Sequence, residues 1–125
     1  MTLAHPEFLL ADPRHPGWRS PLRRALANAP GGIRDVTAEV GDADVSALGP
    51  AAGVAGIEIE APFAARLLAR LTDLDLRALP AIGALAHVRA RVERHGEGRY
   101  RIWFPQEYSD YLADVVVDAW DGLAE

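Results

Sequence analysis

Residues 86–104 read Ala-His-Val-Arg-Ala-Arg-Val-Glu-Arg-His-Gly-Glu-Gly-Arg-Tyr-Arg-Ile-Trp-Phe, and their alternation decides the fold. Ala86, Val88, Ala90 and Val92 fall on one side; His87, Arg89, Arg91 and Glu93 fall on the other. That is the period of a half-buried strand. His95-Gly96-Glu97-Gly98 supplies a turn, and Tyr100, Ile102 and Phe104 then alternate with Arg99, Arg101 and Trp103 on the return. The stretch is a β-hairpin with one apolar face that needs a covering layer.

The flanking sequence supplies that layer. Pro105 ends the hairpin and starts a last helix, in which Tyr108, Tyr111, Leu112, Val115, Val116, Ala119 and Trp120 trace one face, with Gly122 as its expected C-cap. Upstream, Ala61-Pro62 opens a helix with Phe63, Leu67, Leu68 and Leu71 on one face and Arg66 and Arg70 on the other. Leu74 to Gly83 reads as a connection. Two further strands precede this helix: Ile33 to Val40, where Val36, Ala38 and Val40 alternate with polar residues, and Ala55 to Glu60, where Ala55, Ile57 and Ile59 alternate with Gly56, Glu58 and Glu60. Gly41 to Gly53 reads as loop. Ser20-Pro21 caps and starts a first short helix with Leu22, Ala25, Leu26 and Ala29 as its stripe, and Pro30-Gly31-Gly32 stops it. The order predicts an α+β two-layer sandwich, an antiparallel sheet with helices on one face, of ferredoxin-like or split βαβ type. Residues 20–125 form its single domain. Residues 1–19 form an irregular arm whose Phe8, Leu9, Leu10 and Trp18 would dock on this chain's core or on a partner.

Composition narrows the chemistry. At 125 residues the chain has room for one domain, and half of its residues are hydrophobic, as in a globular protein. It has no Cys, which excludes a disulfide framework, a thiol nucleophile and cysteine metal sites. All 13 of its basic side chains are Arg, a bias that resembles GC-rich codon usage, and the net charge of −5 argues against nucleic acid as a partner. No apolar run reaches the roughly 20 residues of a membrane span, and Met1 to Asp12 shows no secretory leader, so the expectation is a cytoplasmic protein that does not enter membranes.

A catalytic constellation is hard to assemble. His5, His15, His87 and His95 lack metal-ligand spacing; Ser20, Ser46 and Ser109 lack a nucleophile motif. Gly31-Gly32 precedes a strand, the reverse of a nucleotide loop, and without Lys there is no Schiff base. Asp114, Asp118 and Asp121 continue from Glu107 and Asp110 as one acidic helix face, which reads first as solvated. The expectation is no catalytic residue, no metal site and no cofactor held on this chain. One surface stands apart: Arg89, Arg91, Arg99, Arg101 and Trp103, with His87, on the outward face of the hairpin. Arg binds carboxylates bidentately and stacks on Trp, so this face is the expected partner-binding surface. On that reading Trp103→Ala costs little stability and weakens assembly by about 2 kcal/mol.

Arg19-Ser20-Pro21-Leu22 followed by Gly32-Ile33-Arg34-Asp35-Val36 resembles the start of the gamma subunit of heterotetrameric sarcosine oxidases, a family grouped with the aminomethyltransferase (glycine-cleavage T-protein) folate-binding domains. Pro62-Phe63-Ala64-Ala65-Arg66-Leu67, Leu79-Pro80, the hairpin and the helix from Tyr108 to Ala119 are similar in order, so the resemblance spans Arg19 to Trp120. It departs at Gly96-Glu97-Gly98-Arg99-Tyr100, where the family often has Gly-Pro-Asp-Glu-Trp, and in a shortened Gly41 to Gly53. No folate-contacting residue is carried over. The resemblance implies a small non-catalytic subunit packed against larger flavoenzyme chains, with flavin, NAD and tetrahydrofolate on those partners. Two alternatives stay open: a folate or anionic-ligand module using the Arg face, and a small cofactorless enzyme using His87, Trp103, Tyr108 and Tyr111.

Overall fold

The computed structural model describes residues 20–41 and 43–124, so the expected arm over residues 1–19 lies outside the described residues. Three helices pack against a five-stranded antiparallel sheet, the two-layer α+β sandwich anticipated from the alternation. The helices are α1 (Pro21–Ala25), α2 (Ala64–Leu71) and α3 (Ser109–Ala124). The strands are β1 (Ile33–Asp35), β2 (Val54–Glu60), β3 (Ala81–Leu85), β4 (Val88–Gly96) and β5 (Arg99–Pro105), in spatial order β1-β2-β5-β4-β3.

Each helix begins or packs for a local reason. The Ser20 hydroxyl accepts from the Leu22 N–H at 3.1 Å, and Pro21 occupies the first helical position where no amide is needed. Leu22 and Leu26 around α1, Leu67 and Leu68 of α2, and Leu112 and Val116 of α3 meet Ile57, Ile59, Ile102 and Phe104 in one buried cluster. Phe63 meets Trp120 edge-on at 4.9 Å, joining the entry to α2 to the end of α3. Gly32 approaches the same indole so closely that a Cβ there would lie 2.4 Å from it.

The structure corrects four element readings. The strand expected over Ile33 to Val40 stops at Asp35 and gives way to a 3-10 turn, Thr37–Glu39. The Asp35 carboxylate takes the Thr37 amide at 2.8 Å and its hydroxyl as well, and this turn competes with the ladder. The connection over Leu74 to Gly83 ends in a strand, β3, which pairs with β4 through the two-residue turn Ala86-His87. That extra strand replaces a split βαβ order with a β3-β4-β5 meander returning to β2. Ala86 therefore sits in a turn rather than at the head of β4, whose inward residues are Val88, Ala90 and Val92. Gly122 lies inside α3 rather than capping it.

The other face of the sheet is covered too. Residues 36–41 and 43–53 lie across it with three 3-10 turns and place Val36 and Val45 over Val54 and Trp103. This second, smaller core is why six consecutive residues of β2, Val54 to Ile59, are buried on both faces.

Candidate functional site

The face expected to meet a partner is built from four strands and a flap. Registers place Arg34 opposite Glu58, Glu58 opposite Arg101, and Arg101 opposite Glu93. One row across β1, β2, β5 and β4 thus alternates positive and negative side chains, the cross-strand arrangement that stabilises rather than repels. Glu58 is its centre and only 2% exposed. Arg34 donates to one carboxylate oxygen at 2.8 Å and Arg101 to the other at 3.1 Å; the Arg99 guanidinium lies 3.7 Å away. Arg101 also reaches Glu39 at 2.9 Å, pinning the flap to the sheet. Burial pushes the Glu58 carboxyl up, but hydrogen bonds from Arg101 and Arg34 and their charges outweigh it and hold the group below its ordinary range.

The next row holds the tryptophan. Gly56, Trp103 and Arg91 lie side by side across β2, β5 and β4. The indole lies over Gly56, where a Cβ would come within 2.3 Å of the ring. Its N–H donates to Glu93 at 3.0 Å, and Glu93 also pairs with Arg91 and with the His95 ring, each at 2.8 Å. Burial acts to raise the Glu93 carboxyl; the bonds from His95, Arg91 and Trp103 lower it further than burial lifts it.

The five expected partner-binding residues therefore divide. Trp103, expected on an outward face that meets a partner chain, is 1% exposed and belongs to this chain's own second core. The strand register was right, and only the cover over this face was unseen. Arg101 is committed to Glu58 and Arg91 to Glu93, while Arg99 stands 3.7 Å from Glu58 and donates to the His95 carbonyl at 3.0 Å. Arg89 stays exposed and makes a long 3.4 Å contact to the Ala47 carbonyl. Arg34, Glu39, Glu58 and Glu93 complete the network and were not singled out from sequence. The signal was present in Val45 and Leu48, apolar residues of an apparent loop that need somewhere to be buried.

The aromatic and histidine residues weighed for an enzyme pocket are not brought together. His87 and Tyr111 line a cleft of about 390 Å³ with Arg70, Thr72 and Asp73, while Trp103 lies beneath the flap on the other face. At that cleft the Ala86-His87 turn holds two non-glycine residues at φ 49° and 71°. The Tyr111 hydroxyl donates to the Ala86 carbonyl at 2.9 Å, and the Ala86 amide donates to Leu71 at 2.7 Å, so α3 and α2 both hold the turn. Among the described residues no group of three or more His, Asp or Glu side chains is placed to hold a metal ion, and no helix is long and apolar enough to cross a membrane. No family model matches the chain, and no curated protein is significantly similar to it.

Proposed function

We propose that this chain is a non-catalytic, gamma-like subunit of a heteromeric flavin-dependent amine-oxidising complex of the sarcosine oxidase type, cytoplasmic, with an assembly role in the demethylation of N-methyl amino acids. Flavin, NAD and tetrahydrofolate are then carried by the larger chains. The observation that carries the reading is the placement of the segments that resemble the gamma family. Ser20-Pro21 caps α1, Gly32 lies under Trp120, Phe63 meets Trp120, and Tyr111 holds the β3–β4 turn. The similar residues are those on which the packing of helices against the sheet depends, and they follow the family's order along the chain. The alternatives draw less support: the arginines of an anion-binding face are largely engaged by Glu58, Glu93 and Glu39, and Trp103 lies apart from His87 and Tyr111.

The test is co-expression of the tagged chain with the products of its neighbouring genes, followed by affinity purification. The expected result is a stable complex with the yellow absorbance of bound flavin. Recovery of the chain alone under all conditions overturns the proposal.

A further inference from the structure

Two tyrosines at the entry to α3 are the large hydrophobic side chains left exposed among the described residues: Tyr108 at 42% and Tyr111 at 44%. They stand three residues apart where the turn Gln106–Tyr108 runs into α3. Around and beyond them Glu107, Asp110, Asp114, Asp118 and Asp121 follow at helical spacing, each exposed. None of the five forms an ion pair with a described residue. Arg24 lines a cleft beside Asp114, Asp118 and Asp121, and Arg70 reaches toward Gly122, yet neither closes a pair with the row. No Arg, Lys or His follows Arg101 in the sequence. The row holds as many negative charges as the net excess of the whole chain, −5.

We infer that the Tyr108/Tyr111 face of α3 is the surface through which this chain docks on a basic, Arg- or Lys-bearing face of a larger partner chain. The inference rests on the proposed role as a subunit and names the face that serves it. Tyrosine is among the residue types that dominate binding energy at interfaces, and here two stand close together where a turn enters a long helix, each more than two-fifths exposed among the described residues even though the Tyr111 hydroxyl is anchored on Ala86. The sign of the partner follows from the row. A two-fold contact with a second copy would press carboxylates against the same carboxylates, and nucleic acid would bring phosphates to them. An arginine-bearing surface satisfies both features, since guanidinium pairs with carboxylate and stacks on the tyrosine ring.

The experiment uses the full chain co-expressed with the flavin-bearing chains. Tyr108→Ala is expected to weaken their association about 30-fold, the scale of a single hot-spot residue. Asp114→Arg with Asp118→Arg is expected to weaken it further and to remove most of its salt dependence. Arg89→Glu, at an exposed position on the opposite face, is expected to leave it within about threefold. Tyr108 is the residue to change because its partner Tyr111 also holds a turn, and unfolding curves of each variant confirm that the fold survives. Association unchanged by the α3 variants, loss through the Arg89 variant alone, or self-association abolished by Tyr108→Ala each overturns this inference while leaving the subunit role standing. Failure of the unaltered chain to retain any flavin-bearing chain overturns both.

Discussion

Trp103 shows how far a single residue's role depends on what lies above it. Its position in β5 follows from alternation, but its environment is set by Val36 and Val45, which close over it from the flap, together with Val54 of β2. The side chain is one of the largest in the molecule to be fully buried. Trp103→Ala is accordingly expected to destabilise the isolated chain by about 3–5 kcal/mol, measured by urea unfolding, which reverses the modest cost expected of an outward residue. Gly56→Ala fills the space beneath the same ring and should cost about 1–3 kcal/mol through overpacking. An unaltered midpoint for both variants would mean that the flap does not close over the indole.

At the scale of elements, the β3–β4 turn is the informative one. With φ of 49° and 71° this two-residue hairpin takes the type I′ form, which needs positive φ at both positions, and Asn-Gly meets that need without strain. This chain uses Ala86-His87, held open to that geometry by Tyr111 from α3 and Leu71 from α2. His87→Gly should stabilise the fold by about 1 kcal/mol, since the left-handed region costs a side-chain-bearing residue about that much or more. Tyr111→Phe should lose about 1 kcal/mol, the net worth of one hydrogen bond. Thermal unfolding of the two variants decides the matter: shifts in opposite directions are expected, and a destabilised His87→Gly would show that the imidazole itself holds the turn. The turn also explains why β3 was read as a connection. Turn signals in sequence are Gly, Asn and Asp, and Ala-His carries none of them.

For the molecule as a whole, Glu58 and Glu93 tie together the strands that the two cores cover. Glu58 joins β1, β2 and β5; Glu93 joins β4 to the buried indole and, through His95, to the hairpin end. Both carboxyls are held below their ordinary range in the folded chain. The folded state therefore binds fewer protons than the unfolded chain as pH falls past the ordinary glutamate value of about 4.3. Stability from these groups is present above that value and is lost as pH drops through the lower folded values. Urea midpoints should be steady from pH 7 to about 5 and fall below it, with a shallower acid limb in Glu58→Gln. That variant should also be weaker by about 3–5 kcal/mol at neutral pH, because three arginines would face an uncharged amide in a largely buried site. An acid limb identical to that of the unaltered chain would show that Glu58 does not control the transition.

Period and punctuation were enough to determine the α+β class, the β4–β5 hairpin with its inward Val88, Ala90, Val92, Tyr100, Ile102 and Phe104, the helical face of α2, the Leu112 and Val116 part of the α3 face, and the Ser20 cap, whereas Tyr108 and Tyr111, expected on that α3 face, are exposed. Each of these is a local matter of which side of an element a residue occupies. Tertiary structure alone decided the second core, the burial of Trp103 and Glu58, and the engagement of the hairpin arginines. In β2 the alternation of Ile57 and Ile59 with Gly56 and Glu58 was visible, but alternation says only that the two faces differ. Whether the polar face meets water or a flap depends on residues 36–53, whose 3-10 turns carry no period of two or of 3.6. A charge can be buried there because Arg34 and Arg101 arrive from strands far away in sequence, and contacts of that range leave no mark on local pattern.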